Sequence, residues 1–320
     1  VKARALETEG KDVIHLEIGE PDFDTPTHIV EAGRKALADG FTHYGPPAGL
    51  PDLREAIAND VAQSRNIDVN ADQVVVCPGA KPIMFFAILA LAEEGTEVVY
   101  PNPGFPIYES VIKFAGATPV PAPLIEERNF TLDVEQMADL VTDKTRLIII
   151  NSPQNPTGGI IPAEDLEVIA DVAVRHNIPV LADEIYSRMV YDGEFASISA
   201  FDGMADKLII LDGFSKTYAM TGWRLGYGVM PEETAQRIAR LMVNSNSCTA
   251  AFTQQAGIAA LTGPQEPSYA MLDEFRKRRD VFHAGLNAID GITCQLPGGA
   301  FYLFPNITKT GRPSQEMEEV

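Results

Sequence analysis

Short β-branched apolar runs recur along the chain, each closed by a turn-rich segment before a helical pattern resumes. "QVVVC" at 73–77 gives way to "PGAK" and "PIMFFAILALAEEG", and "EVVY" at 97–100 to "PNPGFPIY". "RLIII" at 146–150 leads into "NSPQNPTGG" and "PAEDLEVIADVAVRHN", "IPVLAD" at 178–183 into "EIYSRMVY", and "KLIIL" at 207–211 into "DGFSKTYAMTGWRLGYG". Continuous apolar strands alternating with amphipathic helices predict an α/β fold, a mostly parallel sheet between helix layers. In such sheets ligands bind outside the carboxyl ends of the strands. The chemically unusual residues of this chain fall at those ends.

The flanks read differently. Before residue 27, "DVIHLEIGEPDFDTP" reads as an extended arm; from 268, "SYAMLDEFRKRRDVFHAGLNAID" is a long charged helix followed by the strand-like "ITCQLPGGAFYLFPNI". The expected organisation is an N-terminal arm belonging to a small domain (1–27), a large domain (28–267), and the start of a smaller α+β domain (268–320). That last domain is expected to be cut short, because the chain stops at the helix start "SQEMEEV"; the opening Val suggests a trimmed N-terminus.

Composition narrows the function classes. With 45 acidic against 25 basic residues the net charge is −20, which opposes nucleic-acid and acidic-membrane partners. The longest apolar run, "IMFFAILALA" at 83–92, is too short for a bilayer, which needs about 20 residues. The opening "VKARALETEGK" has no apolar core segment of a secretory signal. Cys77, Cys248 and Cys294 are far apart and form no CxxC pair, and the five histidines have no metal-ligand spacing. No metal is expected, and the location expected is the cytoplasm.

Five features carry candidate chemistry. After "VVVC", Gly79 and Ala80 turn tightly and Pro82 suits a helix start, which makes either a phosphate cradle or an ordinary turn. Asp183 ends an apolar strand, either as a helix N-cap or as a carboxylate facing a poorly solvated crevice. Asn151 and Asn155 sit in a proline-locked turn. Lys216 follows a strand, and Arg224 lies eight positions on. An ordinary structural role, a turn, a helix cap or a solvated loop, explains any one of these alone. Together at one sheet edge they suit pyridoxal phosphate, with its aldehyde, ring nitrogen, phenolic oxygen and phosphate.

Here the chain resembles the class I/II aminotransferases of the fold-type I pyridoxal-phosphate enzymes, relatives of aspartate aminotransferase. The likeness runs from "EIGEPDFDTP" through "FTHYGPPAGLPDLREAI", "NSPQNPTGG", "ADEIY" and "FSKTYAMTGWRLGY" to "PGGAFYLF". It implies a ping-pong aminotransferase in which Lys216 carries the cofactor as an aldimine and shuttles the α-proton, with its pKa lowered. Asp183 is implied to pair with the ring nitrogen, and Tyr186 and Asn155 to donate to the phenolic oxygen. Arg224, Gly79, Ala80 and Ser215 are implied to hold the phosphate, and Phe105 to stack on the ring. Tyr44 matches a tyrosine lent across a homodimer interface to the neighbour's phosphate. Gly19 matches the backbone beside the substrate's α-carboxylate. Two departures stand out: Gly213 replaces a Ser or Thr common in relatives, and the family's carboxylate-binding arginine falls beyond residue 320.

Lys81, in "GAK", matches a lysine that one branch of aspartate aminotransferases sets near the substrate's distal carboxylate. The alternative is a solvated first-turn lysine. The expected substrates are an L-amino acid, aspartate or glutamate, and a 2-oxo acid. Competing readings are a C–S lyase or aminocyclopropane-carboxylate-synthase-like enzyme on the same scaffold, or a ligand-sensing domain of a regulator.

Overall fold

The computed structural model describes residues 2–16 and 18–319, and only the backbone of Glu318 and Glu319. Val1, Glu17 and Val320, which fall in the expected arm and C-terminal segment, lie outside the described residues. Ten strands are described: β1 (Val74–Cys77), β2 (Glu97–Asn102), β3 (Thr118–Ile125), β4 (Thr131–Leu132), β5 (Thr145–Asn151), β6 (Val180–Asp183), β7 (Leu208–Gly213), β8 (Gly226–Val229), β9 (Thr293–Cys294) and β10 (Pro305–Asn306). The helices are α1 (Lys2–Thr8), α2 (Thr27–Ala38), α3 (Pro51–Arg65), α4 (Lys81–Leu91), α5 (Ile107–Phe114), α6 (Val134–Asp139), α7 (Ala163–His176), α8 (Glu232–Val243), α9 (Ala251–Thr262), α10 (Glu266–Asn287) and α11 (Ser314–Glu319).

Eight strands form one sheet in the order β1-β8-β7-β6-β5-β2-β3-β4. β7, β6, β5, β2 and β3 run parallel to their neighbours, while β8 is antiparallel to β1 and β7, and β4 to β3. The two-residue period of the apolar runs sends alternate side chains to opposite faces. Val74, Val76, Ile148, Ile150, Val180, Ala182 and Ile210 enter one core cluster. Val75, Cys77, Leu147, Ile149, Leu181, Ile209 and Leu211 enter the other. Each fully buried Val, Leu or Ile contributes about 1.5–3 kcal/mol relative to exposure. With both faces covered, the strands β1, β5, β6 and β7 read as nearly continuous apolar runs.

Two local expectations change. "EIYSRMVY" does not form a helix after β6; it turns, with Ser187 N donating to Glu184 O at 2.8 Å and Met189 N to Tyr186 O at 2.7 Å. The strand-like "ITCQLPGGAFYLFPNI" contains only the two-residue strands β9 and β10. Between them Ala300 takes φ +56°, and a Cβ on Gly299 would meet Met189 O and Pro153 at 2.7 Å. That close backbone approach bends the segment toward β6 instead of extending it.

Candidate active site

A cavity of about 610 Å³ opens at the carboxyl ends of β6 and β7. Gly19, Ala80, Lys81, Phe105, Asn155, Asp183, Tyr186, Ser215, Lys216 and Arg224 line it. Ten of the twelve residues to which the resemblance gives a role therefore meet in one space. Gly79 lies just behind the wall, its Cα against Arg224, and Tyr44 stands elsewhere, 89% exposed.

The cradle is built by steric exclusion. Gly79 adopts φ +81°, and a Cβ there would fall 2.1 Å from Arg224 Nη2. Gly226 of β8 gives the turn its backing, since a Cβ there would meet Ala80 N at 2.4 Å. Arg224, itself at φ +55°, is oriented by a 2.9 Å bond from Nη1 to Thr221 O. Helix α4 begins at Lys81, so its first amides face this spot. The Ser215 hydroxyl has no hydrogen-bond partner among the described residues. Gly213, the departure from the family pattern, has a local cause. It pairs with Gly226 across β7 and β8, and a Cβ on it would come 2.9 Å from Gly226 Cα.

The opposite end holds the carboxylate. Asp183 is buried and accepts from Tyr108 Oη at 2.7 Å and, more weakly, from Ile185 N at 3.3 Å. Burial, opposed by the Tyr108 bond, pushes its pKa up to about 6. Asn151 links the strand ends, its Nδ2 donating to Asp183 O at 2.9 Å and its Oδ1 accepting from Asn155 N at 2.8 Å. Asn151 thus holds the loop that carries Asn155, whose own amide faces the cavity.

Lys216 Nζ donates to Gly19 O at 2.5 Å, with the Tyr186 and Phe301 rings at 6.0 and 5.4 Å. Burial brings its pKa down to about 8; Glu20 opposes the shift, and Lys81 and Arg224 add to it. Lys81 Nζ stands over the Phe105 ring, 5.2 Å from its centroid.

The donor set suits pyridoxal 5′-phosphate. A turn in which a Cβ on Gly79 or Gly226 would clash, beside a guanidinium and a free hydroxyl, suits a phosphate. A buried carboxylate suits a protonated ring nitrogen, and a lysine with lowered pKa suits an aldehyde. Sequence reasoning passed over Tyr108, three residues after Phe105 in "GFPIY", and Tyr302 in "GGAFYLF". It also passed over Glu20, whose carboxylate accepts from Thr221 Oγ1 at 2.9 Å on the cavity wall. Their only signal was adjacency to motif residues.

The sheet and this constellation are those of the fold-type I pyridoxal-phosphate enzymes. The chain belongs to the aminotransferase class I and II family, whose sequence profile matches residues 11–319. Members of that family use pyridoxal 5′-phosphate and act on an amino acid and a 2-oxo acid, and this chain is an aminotransferase among them. It is 42% identical to an aspartate aminotransferase of Pyrococcus abyssi, over 97% of this chain and 80% of the relative. It is 40% identical to the aromatic-amino-acid aminotransferase 2 of Thermococcus litoralis, over 96% and 80%. Among solved structures it resembles the aspartate aminotransferase of Thermus thermophilus with maleate, at a TM-score of 0.91 and 37% identity, covering 96% of this chain and 80% of that one.

Proposed function

We propose that this aminotransferase takes its amino group from a dicarboxylic L-amino acid, aspartate or glutamate, and passes it to a 2-oxo acid in two half-reactions. The observation that carries this reading is Lys81: its ammonium leans on Phe105 inside the same cavity as Lys216 and Asp183, a cation available to a second carboxylate. Relatives named aspartate aminotransferase at about 40% identity support it.

The geometry supports a role for each residue. Arg224, Ser215 and the amides around Gly79 and Ala80 would hold the phosphate, and Phe105 would cover one face of the ring. Asp183 would face the ring nitrogen as an anion, and Tyr186 and Asn155 would donate to the phenolic oxygen. When bound, the cofactor supplies an electron sink for the carbanion at the donor's α-carbon. Lys216 Nζ carries the proton to and from that carbon, a task that its lowered pKa of about 8 suits near neutral pH. Gly19, whose carbonyl meets Lys216, offers its backbone beside the α-carboxylate.

The same reading takes residues 28–267 as the large domain, and 1–27 with 268–320 as parts of a smaller one. It makes the protein a homodimer in which Tyr44, almost fully exposed here, reaches the partner's phosphate. A cytoplasmic location agrees with three free cysteines. The test is a donor panel with 2-oxoglutarate on wild type and Lys81→Ala. A drop of ten-fold or more in kcat/KM for aspartate, with alanine and phenylalanine unaffected, supports the assignment; an unchanged aspartate value rejects it.

A further inference from the structure

The segment that carries Tyr302 is tied down before it reaches the cavity. Gly298 N and Gly299 N both donate to Gly158 O, at 3.0 and 3.1 Å, and Ala300 N donates to Met189 O at 2.9 Å. Ala300 is fully buried, and Phe301 stacks on Phe275 at 5.3 Å. Tyr302 therefore enters the cavity wall with little freedom. Its hydroxyl lies 2.6 Å from Tyr186 Oη, with the two rings edge to face at 5.7 Å. On its other side it abuts Gly19 so closely that a Cβ there would sit 2.5 Å from it.

Burial raises the pKa of both phenols, so each keeps its proton at neutral pH. Between two neutral hydroxyls at this distance, one donates and the other accepts. Tyr186 has one proton. If it donates into the cavity, its remaining lone pair needs a donor, and Tyr302 is the hydroxyl in reach.

We infer that Tyr302 is a positioning residue of the aminotransferase, donating to Tyr186 Oη and so directing the single Tyr186 proton at the phenolic oxygen of the cofactor. The inference rests on the role proposed above for Tyr186. A donor that itself accepts a hydrogen bond is polarised, strengthening its own bond by roughly 10–30%. Tyr302 and Tyr186 thus form a two-step relay from the "GGAFYLF" segment to the cofactor site. The charged groups that bear on this end of the cavity are Lys216, Asp183, Glu20, Lys81 and Arg224, and the phenylalanine variants leave each of those side chains in place.

The experiment is a pH titration of the visible absorbance of the pyridoxal-phosphate-loaded protein, in wild type, Tyr186→Phe, Tyr302→Phe and the double variant. A weaker donor leaves the phenolic oxygen more basic, so the proton it shares is released at higher pH. Tyr186→Phe should raise the midpoint. Tyr302→Phe should raise it by less, about 0.2 unit, and by nothing further in the Tyr186→Phe background. Its kcat should fall about two-fold with KM unchanged. Gly19→Ala, which displaces the Tyr302 hydroxyl without removing it, should shift the midpoint in the same direction. A Tyr302→Phe midpoint equal to wild type, or a shift of equal size in both backgrounds, overturns the relay. If Tyr186→Phe itself leaves the midpoint unmoved, the role of Tyr186 is wrong and the relay falls with it.

Discussion

Tyr108 Oη donates to Asp183 Oδ2 at 2.7 Å, and both side chains are buried. Tyr108 lies in the first turn of α5, three residues after Phe105, and the two rings meet edge to face at 6.0 Å. One helix start therefore supplies both the ring that lines the cavity and the donor that steadies its carboxylate. The donor only partly offsets burial, and a carboxylate held this way is costly until a cation faces it.

That cost has a measurable sign. The pKa of Asp183 is raised from 3.8 to about 6, so the folded protein binds an extra proton between those values. The stability that goes with it is present in full below pH 3.8 and is lost as pH rises through 6. At pH 7.5 the cofactor-free Asp183→Asn protein should be more stable than wild type by up to about 3 kcal/mol. The gain should shrink toward pH 4. The same variant should bind pyridoxal phosphate at least ten-fold more weakly. Thermal melts at the two pH values, with and without cofactor, check both; a wild type more stable at pH 7.5 in the cofactor-free state would contradict the electrostatic argument.

Lys216 has a pKa lowered to about 8, chiefly by burial. In cofactor-free protein its acylation by an amine reagent, followed peptide by peptide, should rise with a midpoint near pH 8. The exposed lysines should keep climbing past pH 10. Lys216→Ala should retain the cofactor through the cradle yet lose turnover by at least three orders of magnitude, as expected for loss of the group that moves the proton. Phosphorus analysis of the purified variant separates retention from turnover.

The cradle predicts a size limit. Gly79→Ala places a methyl group 2.1 Å from Arg224 Nη2 at a backbone of φ +81°. Stability should drop by about 1–2 kcal/mol from the strained backbone alone. Cofactor affinity should fall further, because Arg224 must swing away. Titration of the cofactor-free protein by fluorescence reads the affinity directly. Ala80→Gly, at an ordinary helical φ of −72°, should change affinity less than three-fold.

Much of the layout was legible because both sheet faces are covered. The runs ending in Cys77, Asn151, Asp183 and Gly213 are β1, β5, β6 and β7, and their order delivered the candidate residues to one edge. β3 was not legible: "TPVPAPLI" carries three prolines, tolerated because it lies near the sheet border, paired only with β2 and the two-residue β4. β8 escaped because "GYGV" is half glycine, a composition required by the close approach of Gly226 to the cradle and of Gly228 to Ile83. Tyr108 and Tyr302 were invisible as site residues because tyrosines look alike in a sequence. Only the partner of the hydroxyl distinguishes them.

A buried ion cluster lies behind the site. Arg65, at the end of α3, donates from Nε to Glu184 at 3.1 Å and from Nη2 to Asp212 at 2.7 Å, and all three side chains are buried. Glu184 follows Asp183 directly, and Asp212 lies on the neighbouring strand β7; both push the Asp183 pKa up. Removing the cation leaves two buried carboxylates unpaired, so Arg65→Met should cost about 3–5 kcal/mol at pH 8. Burial already raises the pKa of Glu184 and Asp212, and the loss of Arg65 raises both further. Each would then be taken up as the neutral acid at mildly acidic pH, so the penalty should be largest at pH 8 and shrink toward pH 5. The triple variant Arg65→Met, Glu184→Gln, Asp212→Asn should recover most of the loss and flatten that pH dependence. Denaturant unfolding at pH 5 and 8 on the single and triple variants decides the matter: a single-variant penalty that is equal at both pH values would mean that packing, and not the uncompensated carboxylates, sets the cost.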